Sequence, residues 1–169
     1  PSRVSRKEIK FNKATACAVT LLQPTHRNYT FNGGAALTDG LVGDNIFSSG
    51  RWIAFSGNDL EAIVDLNKPS NISHVEFNTL VDKGSWIFDA RNIEVSVSDD
   101  GKTFTPVATK ALPALGKDYA DKIYTHKLDF NTTKARYVKV HATSEHSLPE
   151  WHPGKGKPAF LFVDEISIM

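Results

Sequence analysis

The chain has 169 residues, a formal net charge of +1 and 40% hydrophobic residues. That length sets the expectation of one domain, and ten Phe, four Tyr and three Trp supply bulk for a single core. The balanced charge excludes a global field for nucleic acid or an anionic membrane, and no apolar run approaches the ~20 residues of a spanning helix.

In chain order, the first thirteen residues are basic, with Arg3, Arg6, Lys7, Lys10 and Lys13 against Glu8. They read as a solvated linker from a preceding domain rather than a nucleic-acid arm. The chain starts Pro-Ser-Arg without Met, so it reads as a segment of a longer protein whose targeting signal lies upstream. Cys17, the only cysteine, stands in an apolar run and is expected as a buried small hydrophobe.

From Ala14 onward the pattern is short alternating runs punctuated by Gly, Asn, Asp and Pro, which predicts an all-β domain over 14–169. Ala14 to Leu22 is the first expected strand. A polar loop, Thr25 to Gly34, carries His26, Arg27, Asn28 and Tyr29. Ala35 to Trp52 follows, rich in Gly and acidic residues. Arg51 to Phe55 leads to Leu60–Leu66, where Leu60, Ala62, Val64 and Leu66 share one face. Lys68 to Asn71 is read as a turn before a strand over Ile72–Val81. Asp82 to Ala90 is a loop with Trp86 and Phe88. Asn92–Ser98 and Thr103–Ala108 are strands of a hairpin closed by Asp99-Asp100-Gly101-Lys102, because Asp-Gly supplies the positive φ of a tight turn. Residues 109–121 read as a variable connection with room for a short helix. Strands are expected over Ile123–Phe130 and Arg136–Ala142, joined by Asn131 to Lys134. The Ser144–Pro158 loop holds Trp151 and His152, and Phe160–Ile168 closes the chain. About eight to ten antiparallel strands imply a jelly-roll β-sandwich.

Four motifs in order carry a family resemblance: Ala36-Leu-Thr-Asp39-Gly40 with Trp52, Val95-Ser-Val-Ser98-Asp-Asp-Gly101-Lys-Thr-Phe104, Ala135-Arg-Tyr-Val-Lys-Val140, and Val163-Asp-Glu165-Ile166. Over residues 14–168 the chain resembles discoidin-like, coagulation factor V/VIII type C domains, and within them the family-32 carbohydrate-binding modules. The loops Gly84-Ser-Trp86-Ile-Phe88 and Leu148-Pro-Glu-Trp151-His152-Pro-Gly154 are similar to modules appended to Bacteroidetes glycosidases of the chitobiase (β-N-acetylhexosaminidase) type.

The resemblance implies one structural Ca²⁺ held by Asp39, Glu165 and the Ala36 carbonyl. Here the loop departs from the family pattern: Leu41 replaces an Asn, and Val42 to Ser49 is an insertion, leaving Asp44, Asn45 and Ser49 as further candidate ligands. From local composition alone, the same loop reads first as a solvated turn, because Asp, Asn and Gly favour turns. Asp164 and Glu165 inside an apolar strand are costly to bury unpaired, and a cation offsets that cost.

Sugar recognition needs a flat aromatic surface beside directional polar groups, and loops on a rigid scaffold are where such sites lie. Trp86, Trp151 and His152 are the leading candidates, with Tyr29, Arg91 and Asn92 behind them. Trp52 is expected in the core. Trp86 and Phe88 either cap the sandwich or offer a stacking face, and Trp151 packs on the body or on a neighbouring domain, or else binds a ligand. No pair of loop carboxylates is singled out for glycoside hydrolysis, and no phosphate loop, nucleophile elbow or metal-ligand His spacing occurs. The expectation is therefore a non-catalytic module that binds galactose- or N-acetylhexosamine-type glycans for a secreted, periplasmic or surface glycosidase. The competing expectation is a spacer packed on the catalytic domain of the same chain without binding sugar.

Overall fold

The computed structural model describes residues 11–169. The predicted linker lies outside the described residues except for its last three. Of these, Lys13 already joins the fold, its backbone N–H donating to the Ile168 carbonyl at 3.0 Å.

The domain is all-β, as the alternation predicts. Among the described residues eight strands form: β1 (Ala18–Leu21), β2 (Ile53–Ser56), β3 (Leu60–Leu80), β4 (Asn92–Ser98), β5 (Thr105–Ala111), β6 (Ile123–Thr143), β7 (Phe160–Val163) and β8 (Ser167–Ile168). Every pairing between them is antiparallel, in the order β2-β7-β3-β6-β4-β5, with β1 and β8 also on β3.

Two predicted turns prove to be bends inside long strands. Lys68–Asn71 lies within β3, and Asn131–Lys134 within β6. The register between these strands shifts from Asp65 to Ser70 and again from Ile72 to His74, and Asn67 takes a left-handed φ of 71°. The extra residues let both strands turn a corner together without losing their partner. The sandwich is therefore one continuous sheet bent over its own core. Leu60, Val64, Val75, Phe77, Val95 and Val138, from both sides of the corner, lie in one buried cluster. Each such side chain stabilises the fold by ~2 kcal/mol through removal of apolar surface from water.

Other boundaries differ for local reasons. Residues 14–17 form a turn, with Ala16 at φ 60°, so the first strand starts at Ala18. Asp164 to Ile166 break the predicted terminal strand into β7 and β8. Residues 112–121 hold neither strand nor helix. Cys17 and Trp52 are buried as expected, and the Trp52 indole N–H donates to the Asp44 carbonyl at 2.8 Å.

Candidate functional site

The β3–β4, β5–β6 and β6–β7 connections place three loops side by side, carrying Trp86, Lys117 and Trp151 in turn. Asp82 to Ala90 folds along β7: Asp82 and Ile87 exchange backbone hydrogen bonds at 3.0 Å, Phe160 N–H donates to the Trp86 carbonyl, and Phe88 N–H to the Phe160 carbonyl. Trp86 closes the short 3-10 turn Lys83–Ser85 in the left-handed region, at φ 66°. Such a conformation in a non-Gly residue costs of order 1 kcal/mol and persists only where its surroundings hold it. Those surroundings are tight, because a Cβ on Gly154 would lie 2.9 Å from two Trp86 ring atoms.

Below this loop Asp89 is buried, accepting hydrogen bonds from the Thr79 hydroxyl at 2.7 Å and from His126 Nε2 at 2.9 Å. The Ser144–Pro158 loop is tied at its base to Asp59, which accepts from Ser144 N–H at 3.0 Å, His146 at 2.7 Å and His141 at 3.2 Å. Burial alone would raise the Asp59 pKa, but these donors outweigh it and hold the carboxyl below its ordinary value.

Trp151 lies nearly parallel to Phe88, with ring centroids 5.9 Å apart and planes at 22°. His152 bridges the two loops. Its Nε2–H donates to the Lys83 carbonyl at 2.7 Å, and its Nδ1 accepts from Gly154 N–H at 3.0 Å. Both ring nitrogens are thus committed, which fixes a neutral tautomer. At 5% exposure His152 holds the wall in place rather than presenting a polar edge. The result is a cleft of about 280 Å³ lined by Lys83, Trp86, Lys117, Trp151, His152 and Pro153. Both tryptophans are half-buried: each is anchored by neighbours while still lining open space.

Of the sequence candidates, the structure brings Trp86, Trp151 and His152 together. Tyr29, Arg91 and Asn92 do not line this cleft. Tyr29 packs on Phe162 at 4.9 Å and Phe160 at 5.7 Å. Arg91 Nη1 donates to Glu145 at 2.7 Å, and Asn92 is a ladder residue opposite Thr143 and Ala111. Sequence reasoning missed Lys83, Lys117 and Gly154. Lys117 sits in an irregular connection with no periodic signal, and only the close approach of Gly154 to Trp86 reveals its role.

The implied ion site lies around Glu165, in the break between β7 and β8. Glu165 Oε1 accepts from Gly40 N–H at 3.1 Å, while its Oε2 is buried without a hydrogen-bond partner. Burial raises this carboxyl to about 9, reinforced by the neighbouring acids Asp39 and Asp164. Asp164 is satisfied by other donors, namely Gly43 N–H and both nitrogens of Asn78. An orphaned oxygen beside a second carboxylate fits a divalent cation, with Asp39 and Glu165 as side-chain ligands and the buried Ala36 turn beside them. Among the described residues no three His, Cys, Asp or Glu side chains are gathered to hold a metal. Asp44 bonds within its own turn, its Oδ1 accepting from Ile46 N–H, and Ser49 Oγ accepts from Arg51 N–H. Asn45 is exposed.

Comparison with known proteins places the fold. The lectin domain of lectinolysin, in complex with Lewis B antigen, is 20% identical with a TM-score of 0.61, covering 95% of this chain and 97% of that one. A fucose-binding module from Streptococcus pneumoniae is 22% identical with a TM-score of 0.58, covering 94% of each chain. A family-32 carbohydrate-binding module from Clostridium perfringens, in complex with GalNAc-β-1,3-galactose, is 18% identical with a TM-score of 0.57, covering 92% of this chain and 95% of that one. No curated protein sequence matches. The sequence profile of the F5/8 type C domain matches residues 13–157, and with the bent antiparallel sandwich this establishes that the chain belongs to the F5/8 type C domain family.

Proposed function

We propose that this domain is a non-catalytic carbohydrate-binding module and that its sugar lies in the cleft between Trp86 and Trp151. The observation that carries the reading is the pair of half-buried tryptophans lining one cleft, one of them backed by Phe88 and the other clamped against Gly154. A pyranose has an apolar face that stacks on such a ring, and a ring already immobilised by its neighbours loses little entropy on binding. The carbohydrate complexes of the structurally similar lectinolysin and C. perfringens domains support this reading.

In the same proposal, Ca²⁺ bound by Asp39, Glu165 and the Ala36 carbonyl stiffens the other loop region and takes no part in sugar contact. Galactose- and N-acetylhexosamine-type glycans are the ligand class. The module serves a secreted, periplasmic or surface glycosidase of the chitobiase type, keeping its catalytic domain near the substrate.

The test is calorimetric titration of wild type and Trp151→Ala with galactose, N-acetylgalactosamine, N-acetylglucosamine and chitobiose. Saturable binding by wild type that falls about fivefold or more in Trp151→Ala is expected, since stacking of a sugar face on an aromatic ring is worth about 1 kcal/mol or more. Equal binding by both proteins would move the site elsewhere.

A further inference from the structure

The charge of the cleft lining is one-sided. Two lysines line it, Lys83 and Lys117, and no carboxylate does. Lys83 is already matched, since its ammonium lies 2.6 Å from Asp121 Oδ1 and also donates to the Tyr119 carbonyl. Lys117 makes no ion pair among the described residues and is exposed at the rim. A third cation, Lys157, stands over Trp86, its Nζ 5.8 Å from the ring centroid, and it too has no carboxylate partner among the described residues. The neighbouring acids do not neutralise these two. Glu150 points to solvent with 92% of its side chain exposed and faces Lys155 at 3.6 Å, while Asp118, next to Lys117 in the chain, is exposed and outside the lining.

A neutral sugar offers an unmatched ammonium at the edge of its site only hydroxyl acceptors, with no opposite charge. A sugar carrying an anionic group gains a charge-assisted hydrogen bond there, stronger than a neutral one. The Coulomb attraction acts beside the low-dielectric faces of two indoles, where water screens it less than on open surface.

We propose that the cleft prefers an acidic sugar, with its ring against Trp86 and Trp151 and its carboxylate or sulfate group against Lys117, and with Lys157 adding a second positive charge beyond Trp86. This rests on the reading of the cleft as the sugar site and narrows it to a ligand class. Carboxylate and sulfate share the required chemistry, and matched ligand pairs separate them.

The experiment titrates the labelled domain with galactose against galacturonic acid, and with N-acetylglucosamine against its 6-sulfate, following the indole N–H signals. Each titration is run at low salt and at about 0.5 M salt, where screening extends over only a few ångströms. At low salt the acidic member of at least one pair is expected to bind about five- to tenfold more tightly than its neutral partner. High salt and Lys117→Gln should each remove most of that difference. A gain confined to one pair also supports the proposal and names the anion. Equal affinity for acidic and neutral sugars, with Trp86 and Trp151 shifting in both, would overturn the acidic preference and leave the sugar site standing. An acidic advantage that survives Lys117→Gln would overturn the assignment to Lys117. Indole signals that do not move with any of the four sugars, in a well-folded sample, would overturn both readings.

Discussion

Gly154 shapes the cleft by what it lacks. A Cβ there would meet Leu148 Cδ1 and two Trp86 ring atoms at 2.9 Å, and its backbone is not in the left-handed region, so the conflict is purely steric. Gly154→Ala should therefore cost about 1–3 kcal/mol, as overpacking does, and should also weaken sugar binding because Trp86 must move. Gly156 is the control. It sits at φ 79°, and a Cβ there would meet nothing within 4 Å, so Gly156→Ala should cost stability through backbone strain while leaving sugar affinity alone. Urea melts and titrations on the two variants separate these effects, and equal loss of affinity in both would contradict the packing argument. Glu165 makes a second residue-scale case. A cation that binds only the folded state at about a hundred times its dissociation constant adds about 2.7 kcal/mol. Wild type should thus melt several degrees higher in excess Ca²⁺ than in chelator, and Glu165→Gln should not respond. An identical response in both proteins would remove Glu165 from the site.

Among the elements, the β4–β5 hairpin shows how a turn sequence becomes a rigid connection. Asp100 Oδ1 accepts from Lys102 N–H at 2.8 Å and Thr103 N–H at 2.9 Å, with the Ser98 hydroxyl also donating, and Gly101 takes φ 75°. The Thr103 and Lys102 amides lead the causes that bring this carboxyl down to about 2. A depressed carboxyl stabilises the fold above its unfolded pKa, near 3.8, and loses that contribution as pH falls through about 2. The stability difference between wild type and Asp100→Ala should therefore be full at neutral pH and shrink steadily below about pH 4. A difference that is constant with pH would show that the charge plays no part. This hairpin was legible because its signal is local: alternation on both sides of an Asp-Gly pair. The corners in β3 and β6 were not. Pro69 and the Asn131-Thr-Thr-Lys134 run look like turns, and what keeps them inside strands is that pairing resumes after each of two successive register shifts, the extra residues lying first on β3, between Asp65 and Ser70, and then on β6, between Thr133 and Asp129, a long-range fact. For the same reason the predicted terminal strand breaks at Asp164, whose carboxylate is taken up by Asn78 and Gly43, far away in sequence.

Taken as a whole, the molecule keeps the proposed sugar cleft and the proposed ion site apart. The tryptophan cleft lies on loops leaving β3, β5 and β6, whereas the Asp39–Glu165 pair lies where β7 gives way to β8, held by the Gly-rich loop before Trp52. The candidate site was half legible from sequence. Trp86 and Trp151 declared themselves as aromatics in long loops, and His152 came with them, but its two internal hydrogen bonds make it a support. Phe88 as the backing of Trp151, and Lys117 at the rim, depend on how three loops stack and left no mark on any single stretch.

The three tryptophans of the chain offer a direct test of the central claim, that the cleft between Trp86 and Trp151 binds sugar. Trp52 is fully buried, with its indole N–H donating to the Asp44 carbonyl, and serves as an internal reference. In a titration of the ¹⁵N-labelled domain with the acidic and neutral sugars, the Trp86 and Trp151 indole signals should shift saturably while Trp52 stays fixed. Trp86 and Trp151 signals that stay fixed with every sugar, in a spectrum that remains well dispersed, would contradict the claim.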